Sequence, residues 1–188
     1  QVFGVVDIDM IAGPTELVII ANRFSDPKFV IADLRAQAEH SKGLAILITN
    51  SKSLAKEVKL QLDGDNGYII LTKDLKQACE ITNKIAPEHL EILVQNPKAL
   101  LKNIKNAGAI FLGPYCPVAL GDYVAGPSHV LPTLGTARFF SGLNVTDFIK
   151  SNHIISYSKK ALEKIREPLE KIAGIEGKQK HVDSVKSR

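Results

Sequence analysis

Apolar residues in this chain come in short, β-branched runs, separated by segments whose apolar positions recur every three or four residues. The runs are Leu17 to Ala21, Leu44 to Thr49, Tyr68 to Leu71, Leu90 to Val94 and Ala109 to Leu112. Each has strand length and almost no charge, as expected of strands covered on both faces. The intervening spacing predicts helices. Asp26-Pro27 opens one, with Asp as cap and Pro in the first turn. Val30, Leu34 and Ala38 form its buried stripe, and it ends around Ser41 to Gly43. Further helices are predicted from Ser53 to Leu62, from Asp74 to about Ile85, and from Asn96-Pro97 to a stop at Gly108. Asp63 to Gly67 reads as a turn.

The two ends of the pattern are less regular. Val2 to Ile8 reads as a strand already in mid-sheet, and no Met precedes Gln1, so the chain is expected to continue something rather than begin it. Gly113 to Gly142 is long, rich in Gly and Pro, and expected to be a functional loop. A short helical stretch at Asp147 to Lys150 and a short strand at His153 to Tyr157 follow. The last part is helical, with an apolar stripe of Leu162, Ile165, Leu169 and Ile172. Pro168 is expected to kink or break it, and Gly174 to set off a final segment from Glu176 to Arg188. Strands alternating with helices predict an α/β fold of incomplete, Rossmann-like parallel-sheet layers with a C-terminal helical tail. The expected division is an α/β portion over 1–150, either one body or two incomplete lobes meeting near 86–90, and a tail over 151–188.

Composition adds little to this. Hydrophobic residues make up 45% and charged residues 23%, ordinary for a globular domain, and no apolar stretch approaches a membrane span. Cys79 and Cys116 form no paired motif, so packing roles in a reducing cytoplasm are the simplest reading. The net charge of +4 is uneven, because ten Lys and Arg face five Asp and Glu from Lys150 onwards. Those charges alternate in sign on a helical pattern with Tyr157 as the one aromatic, which describes a solvated helix face better than a nucleic-acid arm. Gly121 to Gly126 has the gap of a phosphate loop, but Pro127 and Ser128 stand where Lys and Ser or Thr are required, and no G-x-G-x-x-G follows a strand.

The candidate chemistry is carried by histidines in company. In Ala86-Pro87-Glu88-His89-Leu90 a carboxylate and an imidazole stand side by side at the mouth of a predicted strand, where open α/β folds gather their chemistry. Gln37 and His40 are three apart and share a helix face. His129 follows Asp122 by seven residues, and His181 follows Glu176 by five. Ala12-Gly13-Pro14-Thr15 is a turn that brings backbone amides and one hydroxyl to a strand edge. His153 has no evident partner and reads as structural. Any one of these is what an ordinary surface also shows; four of five histidines so placed is less ordinary.

Five segments together resemble the histidinol dehydrogenase family, in the family's order. They are Asp9-Met10-Ile11-Ala12-Gly13-Pro14-Thr15-Glu16, Asp33-Leu34-Arg35-Ala36-Gln37-Ala38-Glu39-His40, Ala86-Pro87-Glu88-His89-Leu90, Gly121-Asp122-Tyr123 and Ser128-His129-Val130-Leu131-Pro132-Thr133. They cover nearly the whole chain and correspond to the C-terminal half of the family sequence. The resemblance implies oxidation of L-histidinol to L-histidine through histidinal with two NAD, at the end of histidine biosynthesis, by a zinc-dependent homodimer. It implies zinc held by Gln37, His40, Asp122 and His181, and Glu88 and His89 as the acid/base pair. It further implies that Thr15, His129 and Glu176 contact substrate, with His89 and the metal ligands also touching it. NAD contacts are expected mainly in an N-terminal half outside this sequence, and the tail is expected to be exchanged between subunits. Thr15 stands where the family has Ser, and the segment from His40 to Tyr68 is shorter than in typical members.

The implied donor set makes chemical sense. Structural zinc prefers four Cys or His ligands, whereas two His, one Asp and one Gln leave a more electrophilic ion open to substrate. Removing a hydroxyl proton as hydride leaves suits a neutral imidazole near pH 7, and adding water to an aldehyde needs a second base. Two other classes of function compete: a zinc-binding or dimerisation module without turnover, and a nucleic-acid-binding protein, which the charge pattern disfavours.

Overall fold

The computed structural model describes residues 2, 4–62 and 67–188. The predicted turn at Asp63 to Asn66, like Gln1 and Phe3, lies outside the described residues. The chain forms two compact units, residues 1–148 and 149–188.

The first unit is built on strands β1 (Glu16–Ala21), β2 (Leu44–Thr49), β3 (Gly67–Leu71), β4 (His89–Leu93) and β5 (Ala109–Leu112). They form one parallel sheet in the order β3-β2-β1-β4-β5. Helices α1 (Pro27–Ala38), α2 (Lys52–Gln61) and α3 (Leu75–Ile85) connect the first four. Strand β1 explains why both faces are covered. Its alternate residues Leu17 and Ile19 pack with Val30, Leu34, Leu54 and Val58 of α1 and α2. Val18 and Ile20 point the other way and pack with Ala78 and Cys79 of α3. A continuous apolar run is therefore needed for β1, and its interior has one.

Local signals start the helices. Asp26 accepts a hydrogen bond from the Lys28 amide at 2.9 Å, Ser51 from Leu54 at 3.3 Å, and Asp74 from Gln77 at 2.7 Å. Helix α3 ends on Ala86, a non-glycine residue in the left-handed region (φ 54°), and the chain turns there into Pro87, Glu88 and β4. Gly108 is required beside this turn, since a Cβ would lie 2.6 Å from the Glu88 carbonyl oxygen.

Several expectations need correction. Among residues 2 and 4–15 there is no strand: Val2 accepts from the Val5 and Val6 amides at 3.0 and 3.1 Å in a turn, and Val6 forms only an isolated bridge. Pro97–Asn103 is a 3-10 helix rather than a longer helix to Gly108, and another covers Val145–Phe148. The glycine-rich segment holds a short helix, α4 (Val118–Tyr123).

The second unit contains α5 (Lys159–Ile175) and α6 (Gln179–Lys186), which pack on one another, with Lys186 Nζ 3.9 Å from Glu170. Pro168 lies within α5 without ending it, carried by good helix formers on both sides. Gly174 also stays helical; Gly177, with φ 68°, makes the break instead. His153 to Tyr157 is exposed and forms no strand, because a β-branched run needs a neighbouring strand to satisfy its backbone. Among the described residues no helix is long and apolar enough to cross a membrane.

Candidate active site

The sequence-predicted residues of the first unit converge at the amino ends of β1 and β4. Thr15 immediately precedes β1, and Glu88 immediately precedes β4, whose first residue is His89. Helix α1 runs back across the sheet, so its last turn brings Gln37, followed by His40, to the same end. Gly43 makes that return possible: a Cβ there would lie 2.2 Å from the Gln37 carbonyl oxygen and 3.1 Å from His40 Cβ. Asp122 arrives on α4. Together Thr15, Gln37, His40, Glu88, His89, Asp122 and His129 line one cavity of about 700 Å³.

This is the opposite end from the usual crevice of an open parallel sheet, which lies at the carboxyl ends where strand order reverses. That crevice exists here as a cavity of about 430 Å³ lined by Phe24, Asp26, Leu93 and others. Several of its polar groups are already engaged. Asp26 takes the Lys28 amide, Pro27 has none to offer, and Ser25 Oγ accepts from the Asn22 amide while donating to the Leu93 carbonyl.

His89 is buried, and its surroundings select its tautomer. Nδ1 lies 3.2 Å from the Glu16 backbone carbonyl, which can only accept, and 3.4 Å from Glu88 Oε2. Nδ1 is therefore the protonated nitrogen of the neutral ring. Nε2 is left as the lone-pair nitrogen. It is buried without a hydrogen-bond partner, and the nearest carboxylate oxygen, Asp122 Oδ1, is 3.7 Å away. Glu88 is also buried, and its Oε2 accepts from the Glu16 amide at 3.1 Å. The backbone of one residue, Glu16, thus orients both members of the pair. His89 also borders a second, largely apolar cavity of about 610 Å³ beside β5, which it shares with Asp122 and His129.

Gln37, buried in the last turn of α1, donates its amide to Thr15 Oγ1 at 3.2 Å, which leaves its carbonyl oxygen as a free donor of lone pairs. Gln37, His40 and Asp122 supply an amide oxygen, an imidazole and a carboxylate to one cavity. Among the described residues no cluster of three or more His, Cys, Asp and Glu stands ready to hold a metal. The three donors of this unit fit an open, catalytic type of site rather than a closed structural one. Glu176 caps the end of α5 and His181 lies on α6, both in the second unit. His153 is exposed.

Three acidic residues of the site region went unnoticed in the sequence. Glu16 opens β1, is buried, accepts the Leu134 amide at 3.1 Å, and has its carboxyl raised above the ordinary range by burial, with the nearby Glu88 adding to the effect. Asp33 on α1 lines the polar cavity, and Glu91 lies wholly inside β4. The available signal was a charge within or at the edge of an apolar run.

Comparison with known proteins assigns the chain to a family. The family model for histidinol dehydrogenase matches residues 1–188. Histidinol dehydrogenase of Clostridium acetobutylicum is 49% identical over 205 aligned positions, covering 100% of this chain and 48% of the relative. That of Bacillus subtilis is 48% identical with the same coverage. The crystal structure of histidinol dehydrogenase from Elizabethkingia anophelis superposes with a TM-score of 0.87 at 32% identity, over 97% of this chain and 46% of that one. The chain spans about half the length of the curated relatives it matches. With family model, relatives and fold in agreement across its length, this chain belongs to the histidinol dehydrogenase family.

Proposed function

We propose that this chain carries the substrate, zinc and acid/base portion of a cytoplasmic histidinol dehydrogenase. The reaction is the four-electron oxidation of L-histidinol to L-histidine through histidinal with two NAD, the last steps of histidine biosynthesis. The observation that carries this reading is the pairing of a buried, tautomer-fixed His89 with Glu88 in one cavity with Gln37, His40, Asp122, Thr15 and His129.

Gln37, His40 and Asp122 would hold zinc, with His181 as the fourth ligand. Bound there, the metal would orient the imidazole and amine of histidinol and acidify its hydroxyl. NAD would be the hydride acceptor in each round. The residues of this chain handle the protons. His89 Nε2, unprotonated and facing the cavity, takes the hydroxyl proton in the first oxidation, while Nδ1–H stays on the Glu16 carbonyl and the Glu88 carboxylate beside it supports the cation that forms. The second oxidation needs water added to an aldehyde. Glu88 has one oxygen held by the Glu16 amide and the other left to draw a proton from that water. Thr15, His129 and Glu176 complete the substrate contacts.

The tail is proposed to be exchanged in a homodimer, so that His181 of one subunit completes the partner's zinc site. The stripe Leu162, Ile165, Leu169 and Ile172 needs an apolar surface, and Ile172 is exposed in the single chain. A separate N-terminal half would supply most NAD contacts. A second reading, a zinc-binding and dimerisation module without turnover of its own, is separated from the first by histidinol-dependent reduction of NAD. Calorimetry on this chain should show histidinol binding only when zinc is present.

The division of labour is tested in an assembly that includes the NAD half, with each substrate supplied separately. Glu88→Gln should slow histidinal oxidation tenfold or more beyond its effect on histidinol oxidation, within the roughly 10²–10⁴-fold typical of acid–base catalysis. Equal losses on the two substrates would refute it.

A further inference from the structure

Strand β4 buries a carboxyl group in an otherwise apolar run. Glu91 lies between Leu90 and Ile92, has no exposed surface, and stands opposite Ile19 in the register with β1. It points to the same face as His89, two residues earlier, which is the face covered by α1. Its Oε1 accepts a hydrogen bond from the Val118 amide at 3.0 Å, at the start of α4. Its Oε2 is buried without a hydrogen-bond partner, and the neighbouring acid is Asp33 of α1. Neither carboxyl has an ion-pair partner among the described residues.

A wholly buried carboxylate beside a second, half-buried one at the cavity edge cannot hold its charge cheaply. A single proton on Oε2, donated towards Asp33, removes one charge and gives the orphaned oxygen a partner. Burial, with Asp33 adding to it, pushes the Glu91 acid up to about 9, in keeping with a carboxyl that is neutral at physiological pH.

We propose that Glu91 and Asp33 share one proton and form a positioning pair that clamps together the three elements presenting Gln37, His89 and Asp122. The placement is regular. Gln37 follows Asp33 by one turn of α1, Asp122 follows Val118 by one turn of α4, and His89 precedes Glu91 by one pleat of β4. Glu91 is sealed from the cavity, and Asp33 stands at its edge. The pair acts by holding the two ligand-bearing helices against the strand that carries the base, as outer-shell carboxyls do at metal sites.

The inference rests on the reading of the polar cavity as a zinc-dependent dehydrogenase site, so its test includes an arm that needs no metal. Infrared spectra of the 188-residue chain at neutral pH should show the C=O stretch of a protonated, buried carboxylic acid. That band should vanish in Glu91→Gln. Zinc titration then compares two variants. Glu91→Gln keeps a donor towards Asp33 and an acceptor for Val118, and should bind zinc within about twofold of wild type. Glu91→Leu keeps the volume but loses both bonds, and should weaken zinc binding about 10-fold or more, the scale of outer-shell losses. Its unfolding temperature should fall, because the Val118 amide loses its acceptor, so zinc is titrated well below that transition, where circular dichroism shows the variant folded. Absence of the band overturns the shared proton. Zinc binding by Glu91→Leu equal to wild type, or by Glu91→Gln as weak as Glu91→Leu, overturns the positioning role. A wild-type chain that takes up no zinc refutes the dehydrogenase reading, and the infrared arm still decides the shared proton.

Discussion

Glu91 and Glu16 show how a single carboxyl can set both chemistry and stability. Burial raises both acids above their unfolded values, Glu91 to about 9 from 4.5. Between those two values the folded chain keeps a proton that the unfolded chain has released, so stability falls as pH rises through that window and levels off above it. One such proton contributes a slope of about 1.4 kcal/mol per pH unit. Urea unfolding of the chain at pH 6 and pH 8 should therefore give a lower stability at pH 8. Glu91→Gln should flatten that dependence and make the variant the more stable protein at the higher pH. His89 makes a related point, since the residue type was evident but the carbonyl that selects its tautomer belongs to Glu16, which is 73 positions away.

Elements decide where these residues meet. Helix α1 was legible in detail, from the Asp26 cap to the stripe of Val30 and Leu34, because capping and periodicity are local. Its return into β2 depends on Gly43, where close approach of backbone leaves no room for a side chain. Gly43→Ala should push the last turn of α1 away from its place, at a cost of about 1–3 kcal/mol in unfolding free energy. Zinc and histidinol binding should weaken with it, because Gln37 and His40 flank the displaced carbonyl; calorimetry of the variant checks this. Other elements were misread where the pattern is short or unpartnered. The segments Val2 to Ile8 and His153 to Tyr157 have strand composition without a strand beside them, and α4 has too few residues for periodicity to reveal it.

At the scale of the whole molecule, the proposed exchange of tails makes the zinc site a property of two chains. In an assembly with the NAD half, homodimers of His40→Ala and of His181→Ala should each lose both sites. A mixed dimer should recover one, because one pocket then draws both an intact His40 and an intact His181 from different chains. Metal analysis of the purified mixed dimer should find about half the wild-type zinc, with activity to match. No restored site would rule out the exchange.

The sequence by itself determined the parallel α/β class, the run of strands and helices, and the residue types that make a site. Apolar period, caps and adjacent Glu88-His89 are encoded within a few positions of one another, so they can be read without a fold. Only the tertiary structure decided that the strand ends carrying Thr15 and Glu88-His89 meet Gln37, His40 and Asp122 around one cavity. Strand order is set by which apolar faces find each other, and the sheet order β3-β2-β1-β4-β5 brings Thr15 and Glu16 next to Glu88 and His89. The same packing placed Glu91 against Asp33 and Val118, contacts made across three elements and invisible to any local pattern.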